Sequence, residues 1–596
     1  MATIQLPSTP SSESARLVRS PLPRGDEPAR PCRQPFPAGQ PLGTVVAHTF
    51  LVVACLACLG PFVGKAFHID DPLFLWTARQ IQSHPVDFFG FRVNWYTTEA
   101  PMSEVTMNPP LTSYYLAGVM ALFGEREVAL HLAFLLWVIG AVIGTYRLAR
   151  KSCGQPMLAA LLTLAAPAFL VSSTSLMCDV MMLCLWVWSV VCWERGLDEG
   201  KQLPLYAAGV LAALALLSKY FALALVPLLL VYTLARQRRL GKSVVPLLIP
   251  VGVALAYQYL TFRLYGRGLL SGAAVYANDH RTRDYLGDLI VGLSFTGGCV
   301  GSVIFYAPAL WGRRSLILAG AASLALAWLR VRLRTEPLHL PVWADILQMA
   351  VFIAGGICLA SLAADELRCR RDAHALLLVA WIAGTFLFAT FMNWTMNARS
   401  VLPLVPPAAI LIVRRLELRL GDSMQRHRIA FGVPLLLTGL VSVLVATADY
   451  CMAETGRRAA QRFAREYAEG HGPIWFQGHW GFQHYMQQLG GRVIDFDTMP
   501  GYEVPSVLLL PRNSTYVLTL NPNQPYGVHS RYLEKMHKVS FPAFPLAATM
   551  HPAFDAGYYS CSLKQSLPYA FCEAPGEEYW IMLIRSAPPP ENRARK

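Results

Sequence analysis

The sequence predicts a polytopic α-helical membrane protein with a small α/β domain at its C-terminal end. Three observations favour this fold class. The 596 residues are 54% hydrophobic and only 15% charged, with a mean hydropathy of +0.38, whereas soluble domains carry about 25% charged residues. Apolar runs near the length of about 20 residues that a transmembrane helix needs recur between residues 43 and 450. After residue 450, polar stretches alternate with short apolar ones.

The formal net charge of +14 does not indicate a nucleic-acid-binding protein, because no basic-aromatic module is present. Lysines and arginines gather between the apolar runs, as they do in the cytoplasmic loops of membrane proteins. Most of the 13 cysteines lie inside apolar runs and are expected to be small core residues. Cys561 and Cys572 lie in a polar region, where an extracytoplasmic location would permit a disulfide. The sequence is compatible with both a paired and a free state.

Residues 1–42 are rich in Pro, Ser and Arg and predict a disordered cytoplasmic leader. This segment is too long and too rich in Pro for the basic region of a signal peptide. The first apolar run, 43–64, is therefore expected to be a retained span, which places the following loop, 65–126, outside.

Two helices are predicted in the outer loop 65–126. The first, 71–83, has an apolar and a polar side, and Asp71 before Pro72 is an N-cap signal. The second, 110–123, is apolar, but its length of about 21 Å is short of a hydrocarbon core of about 30 Å. Both helices are expected to lie in the outer interface.

Further apolar runs, separated by charges and by Pro and Gly, bring the predicted total to about 13 crossings. These spans are expected at 127–149, 156–172, 177–193, 203–217, 219–235, 243–262, 289–311, 314–329, 341–362, 374–394, 401–413 and 430–448. Most clusters of Lys and Arg then fall in cytoplasmic loops. The cluster Arg330, Arg332 and Arg334 falls outside. Either that boundary is misplaced, or these arginines contact an anionic lipid or ligand.

An odd number of crossings places residues 451–596 outside. A polar amphipathic helix is expected at 453–469, a second helix at 479–490, and short buried strands at 473–477, 492–496, 506–510 and 515–520. This alternation predicts a soluble α/β domain. The predicted domains are therefore the leader 1–42, a transmembrane catalytic domain 43–450 and the extracytoplasmic domain 451–596.

Ionisable residues at membrane depth are costly and often functional. The predicted topology brings five of them, from separate parts of the chain, to one outer level: Asp70, Asp71, Asp179, Lys219 and Arg399. Such a crevice could hold an anionic head group and activate a hydroxyl. The aspartates at 71 and 179 could instead be helix caps, and the two cations could reach lipid phosphates. The three aspartates together are also a candidate site for a divalent metal.

Five segments carry a resemblance to a known family: Ile69–Pro72, Asn108–Tyr115, Asp179–Met182, Leu216–Lys219 and Arg399–Pro407. Their order and membrane side resemble family 39 of the GT-C glycosyltransferases, which includes protein O-mannosyltransferases and bacterial aminoarabinose-lipid A transferases. The resemblance extends over roughly residues 43–450. It implies an integral protein of the bacterial inner membrane, with the N-terminus cytoplasmic.

The resemblance also implies a reaction. A sugar would pass, with inversion, from a polyprenyl-phosphate donor to an acceptor hydroxyl on a lipid, a glycan or a protein. Asp70 would take the proton from the acceptor, and Asp71 would raise the basicity of Asp70 and orient the acceptor. Lys219 and Arg399 would hold the donor phosphate.

One departure from the family concerns the donor phosphate. Asn108 stands where the family has a charged His or Lys before Pro-Pro. The missing charge would then come from Lys219, Arg399 or the pair Arg281 and Arg283. Two other functions stay open at this point: a transporter or lipid flippase that uses the charged crevice for passage, and a non-catalytic scaffold whose outer domain binds a partner.

Overall fold

A computed structural model shows a helical bundle that continues into a mixed β-sheet. The structure describes residues 43–281, 284–334, 338–420, 428–467, 472–495, 497, 506–513, 517, 533–561, 564–573 and 576–584. Arg283 and most of the predicted strand 515–520 lie outside the described residues, as does the predicted leader 1–42.

In the part of the first half that the structure describes, the chain forms twelve α-helices and a small hairpin. The helices are α1 (Thr44–Leu59), α2 (Asp71–Ser83), α3 (Met102–Val105), α4 (Leu111–Phe123), α5 (Glu127–Ala149), α6 (Pro156–Leu164), α7 (Pro167–Ser172), α8 (Cys178–Glu199), α9 (Gln202–Ser218), α10 (Leu225–Gln237), α11 (Leu248–Tyr265) and α12 (Leu269–Asp279). The antiparallel hairpin of β1 (Arg92–Asn94) and β2 (Glu99–Pro101) lies between α2 and α3.

The described residues of the second half form nine more α-helices and seven strands. The helices are α13 (Tyr285–Val300), α14 (Ser302–Leu310), α15 (Arg313–Arg332), α16 (Val342–Cys369), α17 (Ala373–Phe391), α18 (Ala398–Val401), α19 (Val405–Leu420), α20 (Arg428–Glu466) and α21 (Trp480–Gln488). The strands are β3 (Ile474–Phe476), β4 (Arg492–Val493), β5 (Ser506–Pro511), β6 (Leu533–Phe541), β7 (Met550–His551), β8 (Ala556–Gly557) and β9 (Glu577–Ile584).

In the described part of the chain, nine helices are long and apolar enough to cross a membrane, or ten if the bent pair of α13 and α14 is one span. The chain is thus a polytopic helical membrane protein, and the described residues do not confirm the predicted count of about 13 spans. The predicted span 156–172 is divided into α6 and α7, because Pro167 begins a new helix. Two other predicted spans are helices of 17 and 16 residues, α9 and α19.

Helix α8 is the most enclosed of the candidate spans. Its apolar window is 78% buried, whereas that of α15 is only 11% buried. Trp186 and Trp193 of α8 are fully buried and fill the centre of the bundle. A helix of 22 residues is about 33 Å long, so α8 crosses the whole bundle and carries different charged groups at its two ends.

The two ends of α8 separate the two groups of charged loops. Asp198, near its C-terminal end, accepts a hydrogen bond from Lys151 at 2.7 Å and one from Arg236 at 3.3 Å. Glu194 on the same end pairs with His374 at 3.0 Å. These cations come from the loops that the sequence predicts to be cytoplasmic. Asp179, at the other end, belongs to the candidate site.

The C-terminal part contains a five-stranded sheet with the order β4-β3-β5-β9-β6. Strand β3 is parallel to β4 and β5, and β9 is antiparallel to β5 and β6. The expected strands at 473–477, 492–496 and 506–510 are confirmed as β3, β4 and β5, and the expected helix at 479–490 is confirmed as α21. The helix expected at 453–469 is the end of α20, which runs on from the last span without a break.

Arg330 in the last turn of α15 and Arg334 just after that helix contact this C-terminal part. Arg334 donates to Asp345 at 2.8 Å and to Asp555 at 2.6 Å, and Arg330 donates to Ser566 at 3.2 Å. These arginines therefore contact the C-terminal segment, and the carboxylate of Asp555 neutralises Arg334.

Candidate active site

The candidate site forms where four segments of the bundle begin or end. Asp70 immediately precedes α2, and Asp179 is the second residue of α8. Lys219 directly follows the last residue of α9. Arg399 lies in the short helix α18, whose start is fixed by the Asn397 side chain accepting a hydrogen bond from the Ser400 amide at 2.8 Å. The helix ends thus bring residues that are far apart in sequence to the same end of the bundle.

Arg399 joins the two acids of this cluster. Its guanidinium lies 3.1 Å from the carboxylate of Asp70 and 3.9 Å from that of Asp179. Lys219 donates to the other oxygen of Asp179 at 2.6 Å. The pKa of Arg399 is raised despite its burial, because the carboxylates of Asp70 and Asp179 favour the charged form. The four side chains therefore make one alternating chain of charges.

The four members of the cluster differ in their access to a ligand. The Asp179 side chain is only 2% exposed, whereas those of Asp70 and Lys219 are 26% and 19% exposed. Asp179 therefore pairs with the two cations from the buried side of the cluster, and Asp70 and Lys219 lie on its solvent-exposed side. The alternative that Asp179 caps its own helix is wrong, because Met177 occupies the N-cap position and the carboxylate pairs with Lys219 instead.

Asp71 has a different position from the one its sequence context indicates. It is the first residue of α2 rather than the N-cap, and its side chain is completely buried. One carboxylate oxygen accepts from the His68 amide at 3.0 Å and the other from the Leu176 amide at 2.9 Å. The N-cap interpretation of Asp71 is therefore wrong. Burial raises the pKa of Asp71 to about 7, although nearby Lys65 and the two amide hydrogen bonds lower it.

The turn that presents the acidic pair is strained. Ile69 has a φ of 47°, which is rare for a β-branched residue. Strain of this kind costs about 1–3 kcal/mol and persists only where the surroundings hold the backbone. Here the Asp71 carboxylate accepts a hydrogen bond from the His68 amide within the turn and another from the Leu176 amide in the segment before α8. These two bonds hold the turn in place. Asp71 is thus placed to fix the backbone on which Asp70 stands.

The remaining predicted site residues are not part of this cluster. Asn108 precedes α4, and its amide N–H donates to the Thr106 hydroxyl at 3.4 Å. The guanidinium of Arg281 lies over the ring of Tyr285, with its central carbon 5.4 Å from the ring centre. No ion pair in the described part of the chain joins Arg281 to Asp70 or Asp179.

The acids do not form a metal site. Among the described residues, no group of three or more His, Cys, Asp and Glu side chains is arranged to hold a metal ion. Asp71 uses both oxygens on backbone amides, and Asp179 is paired with Lys219. The candidate metal site of Asp70, Asp71 and Asp179 is therefore not supported.

A second buried network lies next to the first and was missed in the sequence. Lys65, just after the first span, donates to Asp449 of α20 at 2.5 Å, and both side chains are fully buried. Asp449 also accepts from the hydroxyls of Thr549 at 2.9 Å and Tyr559 at 2.7 Å. The signal in the sequence is a lone acid at the end of an apolar run, just beyond the predicted span 430–448.

Tyr559 connects the two networks. Its hydroxyl donates to Asp449, and the guanidinium of Arg399 lies over its ring at 5.6 Å. The C-terminal segment thus contributes directly to the position of Arg399. This contact could not be read from the sequence, because Arg399 and Tyr559 are 160 positions apart and no periodic pattern relates them.

The motif Gln477–Phe482 also contacts the outer loop. A Cβ added to Gly481 would lie 1.9 Å from the carbonyl oxygen of Phe67, so only glycine permits this close approach. His479 and His484 are buried, and desolvation lowers the pKa of His479 to about 4 and that of His484 to about 3. These histidines are neutral core residues. Cys561 and Cys572 are both free, so the suggested disulfide is not formed.

Comparison with known proteins adds a family match. Residues 107–260 match the family model for dolichyl-phosphate-mannose-protein mannosyltransferases, a stretch that contains Asn108, Asp179 and Lys219. No curated protein matched the chain. The oligosaccharyltransferase of Archaeoglobus fulgidus is similar in structure, with 13% identity over 76% of this chain and 63% of that chain, at a TM-score of 0.44. This chain thus covers less than two thirds of that protein's length.

A second similar structure is ArnT from Cupriavidus metallidurans. It has 15% identity over 78% of this chain and 93% of that chain, with a TM-score of 0.39. The mannosyltransferase match falls on the part of the chain that supplies three of the predicted site residues. The predicted resemblance to GT-C glycosyltransferases is thereby confirmed.

Proposed function

We propose that the protein transfers a sugar from a polyprenyl-phosphate-linked donor to an acceptor hydroxyl on the extracytoplasmic side of a membrane, with inversion. The observation that carries the proposal is the arrangement of Asp70, Arg399, Asp179 and Lys219 at one end of the bundle. It combines an accessible carboxylate with two cations, which is what a hydroxyl nucleophile and a departing phosphate require. The match to a lipid-phosphate mannosyltransferase family supports the donor class.

The charges suggest a division of roles. The donor phosphate approaches Lys219 and Arg399, and Asp179 keeps both cations in place beneath it. Asp70 takes the proton of the acceptor hydroxyl as the oxygen attacks the anomeric carbon and the phosphate leaves with the bonding electrons. In the structure Arg399 is paired with Asp70. A bound phosphate would compete for Arg399, so donor binding would free the base.

The position of the charges favours chemistry over transport. All four side chains stand at helix ends, within or directly beside the first or last turn. A transport pathway would be better served by paired charges in the middle of the spans. The extracytoplasmic location, the bacterial inner membrane and the three-part division of the chain are part of the same proposal.

The test is donor consumption by the purified protein in lipid nanodiscs, with a radiolabelled polyprenyl-phosphate sugar and an extract of envelope lipids and glycans. Asp70→Asn keeps the shape of the side chain and removes the base, so transfer should fall by about 10²-fold or more. Asp279→Asn is the matched control, because Asp279 is exposed at the end of α12 and should leave the rate unchanged. Full transfer by Asp70→Asn would refute the assigned base.

A further inference from the structure

A cavity of about 660 Å³ lies between the first outer loop and the C-terminal sheet. Its volume is within the usual range of small-molecule sites, about 300–1,000 Å³. One wall is α2, which starts at the acidic pair, and Trp76, Arg79 and Ser83 line that wall. At 1.5 Å per residue, these side chains begin about 8 Å along the helix from Asp71 and end about 18 Å from it. The cavity is therefore close to the candidate active site but separate from it.

The charges that line the cavity cancel. Arg79 and Arg92 are its cations, and Glu99 and Asp495 are its anions. Arg79 is already engaged by Glu125, with two nitrogen–oxygen hydrogen bonds of 2.7 Å. Arg92 donates to the backbone carbonyl of Glu99 and lies 3.7 Å from its carboxylate. An anionic ligand would find both arginines of the lining already paired, so the lining favours a neutral ligand over an anionic one.

The cavity also offers an unused hydrogen-bond acceptor. Asn94 is only 5% exposed, and its amide nitrogen donates to the Ile494 carbonyl at 2.9 Å. Its Oδ1 has no hydrogen-bond partner among the described residues, although it is buried. A buried acceptor without a partner is unfavourable, and a ligand hydroxyl can satisfy it. Asn94 lines the cavity, so a turn of its side-chain amide would bring this oxygen to a ligand hydroxyl.

Trp76 supplies a fixed aromatic surface. Its ring lies edge-on to Trp95 at 5.9 Å and is stacked with His484 at 6.3 Å, so its orientation is set by the core. The side chain is still partly exposed and borders the cavity. A flat apolar surface beside amide and charge-paired groups suits a molecule with C–H faces and many hydroxyls.

We propose that this cavity binds a neutral carbohydrate, as the glycan part of the acceptor. This inference rests on the proposed function, because it gives the acceptor its chemical class. A chain of sugar units in the cavity would lie along α2 and direct a terminal hydroxyl toward Asp70. The wall that contains Asn94 and Trp76 would then select the acceptor, while the cluster at Arg399 binds the donor.

The test measures carbohydrate binding directly and needs no donor. The full-length protein in nanodiscs is titrated with neutral trisaccharides of glucose, mannose and N-acetylglucosamine, and binding is followed by saturation-transfer NMR. At least one neutral trisaccharide should bind to the wild type. Asp70→Asn should bind it equally well, although its transfer rate is expected to be lower by about 10²-fold or more. Loss of transfer and loss of carbohydrate binding are thereby distinguished.

Two variants test the location of the site. Gln487→Ala removes an exposed amide that lines the cavity, and binding should weaken about three- to tenfold. Gln488→Ala is the matched control, because its side chain is exposed on the same helix but does not line the cavity. Trp76→Leu should weaken binding by at least about tenfold. If Trp76→Leu fails to fold, the comparison of Gln487→Ala with Gln488→Ala still tests whether the sugar binds in this cavity.

Three results would overturn the proposal: no binding of any neutral trisaccharide, equal weakening by Gln487→Ala and Gln488→Ala, or preference for a sulfated trisaccharide or a Ser/Thr-rich peptide over the neutral sugars. In each case, continued donor consumption by the wild type would leave the proposed function intact.

Discussion

At the scale of single residues, Arg399 makes contacts that a lysine could not reproduce. Its planar guanidinium reaches Asp70 and Asp179 at the same time, at 3.1 and 3.9 Å, while its face lies over Tyr559. We expect Arg399→Lys to lower kcat/KM for the donor by about tenfold or more, because one ammonium cannot bridge both acids and a phosphate.

The control for Arg399→Lys is Arg281→Lys. Arg281 contacts Tyr285 rather than the acids, so this variant should stay within about twofold of the wild type. Steady-state donor kinetics measure both variants. Equal losses in the two would show that the response reflects general damage rather than the position of Arg399.

Replacement by asparagine should lower mainly the stability at Asp71 and mainly the activity at Asp70. Asp71→Asn presents an NH₂ group to one of the two backbone amides that the carboxylate now accepts, so stability should fall by about 1–3 kcal/mol. Asp70→Asn replaces a carboxylate that is 26% exposed, pairs with Arg399 and makes no cap hydrogen bond, so it should lower activity with little change in Tm. Thermal unfolding in nanodiscs distinguishes the two. Equal Tm values would contradict a positioning role for Asp71.

The pKa of Asp71 gives this difference a pH dependence. Burial raises the pKa from 3.8 in the unfolded chain to about 7 in the folded one. Between these values the folded state binds more protons, so stability from this group falls as pH rises. The Tm advantage of wild type over Asp71→Asn should therefore be largest near pH 4 and shrink up to about pH 7. An advantage that grows with pH would contradict the raised pKa.

At the scale of secondary-structure elements, the break between α13 and α14 shapes the bundle beside the site. The two helices meet at an angle of 88° at Gly301, which has φ 62° and ψ −51°. Residues other than glycine rarely adopt this backbone conformation. An added Cβ would also lie 3.0 Å from the ring of Pro167, where α7 starts. The bend therefore depends on glycine.

We expect Gly301→Ala to destabilise the protein by about 1–3 kcal/mol, seen as a lower Tm. Gly320→Ala is the matched control, since Gly320 lies inside the regular helix α15 with nothing within 4 Å of an added Cβ. That variant should be neutral or slightly stabilising, because alanine favours a helix more than glycine does. A harmless Gly301→Ala would mean that the bend can relax.

Close contacts between elements also follow from glycine. A Cβ on Gly297 of α13 would lie 1.8 Å from the carbonyl oxygen of Phe352 in α16. Small residues of this kind let helices in a membrane approach at backbone distance. Glycine at position 297 thus permits a close approach of α13 to another helix, although that α16 would be this helix was not predictable from the sequence.

At the scale of the whole molecule, the Lys65–Asp449 pair joins the first span, the last span and the C-terminal segment. Lys65→Met leaves Asp449 buried without its cation, which should cost about 3–5 kcal/mol. Adding Asp449→Asn removes the unpaired charge and should restore part of the loss, since the amide oxygen can still accept from Tyr559 or Thr549. Thermal unfolding of the four proteins measures the coupling. If the stability losses of the two single variants simply add in the double variant, Lys65 and Asp449 are not coupled.

The sequence by itself determined the fold class and most of the site. Hydropathy predicted a polytopic helical protein because the hydrocarbon core sets the length of apolar runs. Positional reasoning about helix ends brought Asp70, Asp179, Lys219 and Arg399 to one level, and in the structure ion pairs link Asp70 to Arg399, Arg399 to Asp179 and Asp179 to Lys219. These features depend on local composition and on the cost of charge in lipid, which a single chain displays directly.

Tertiary structure alone decided the rest. Whether 156–172 crosses as one helix depended on how α6 and α7 pack, and the role of Asp71 depended on which amides happened to face it. Asp449 contacts Lys65 and Tyr559, and Arg334 contacts Asp555, and each of these pairs is more than 100 positions apart in the sequence. The unpaired side-chain oxygen of Asn94 was equally unpredictable. Such pairings are set by the global packing of the chain, because no local period or capping rule specifies which distant group a buried charge will meet.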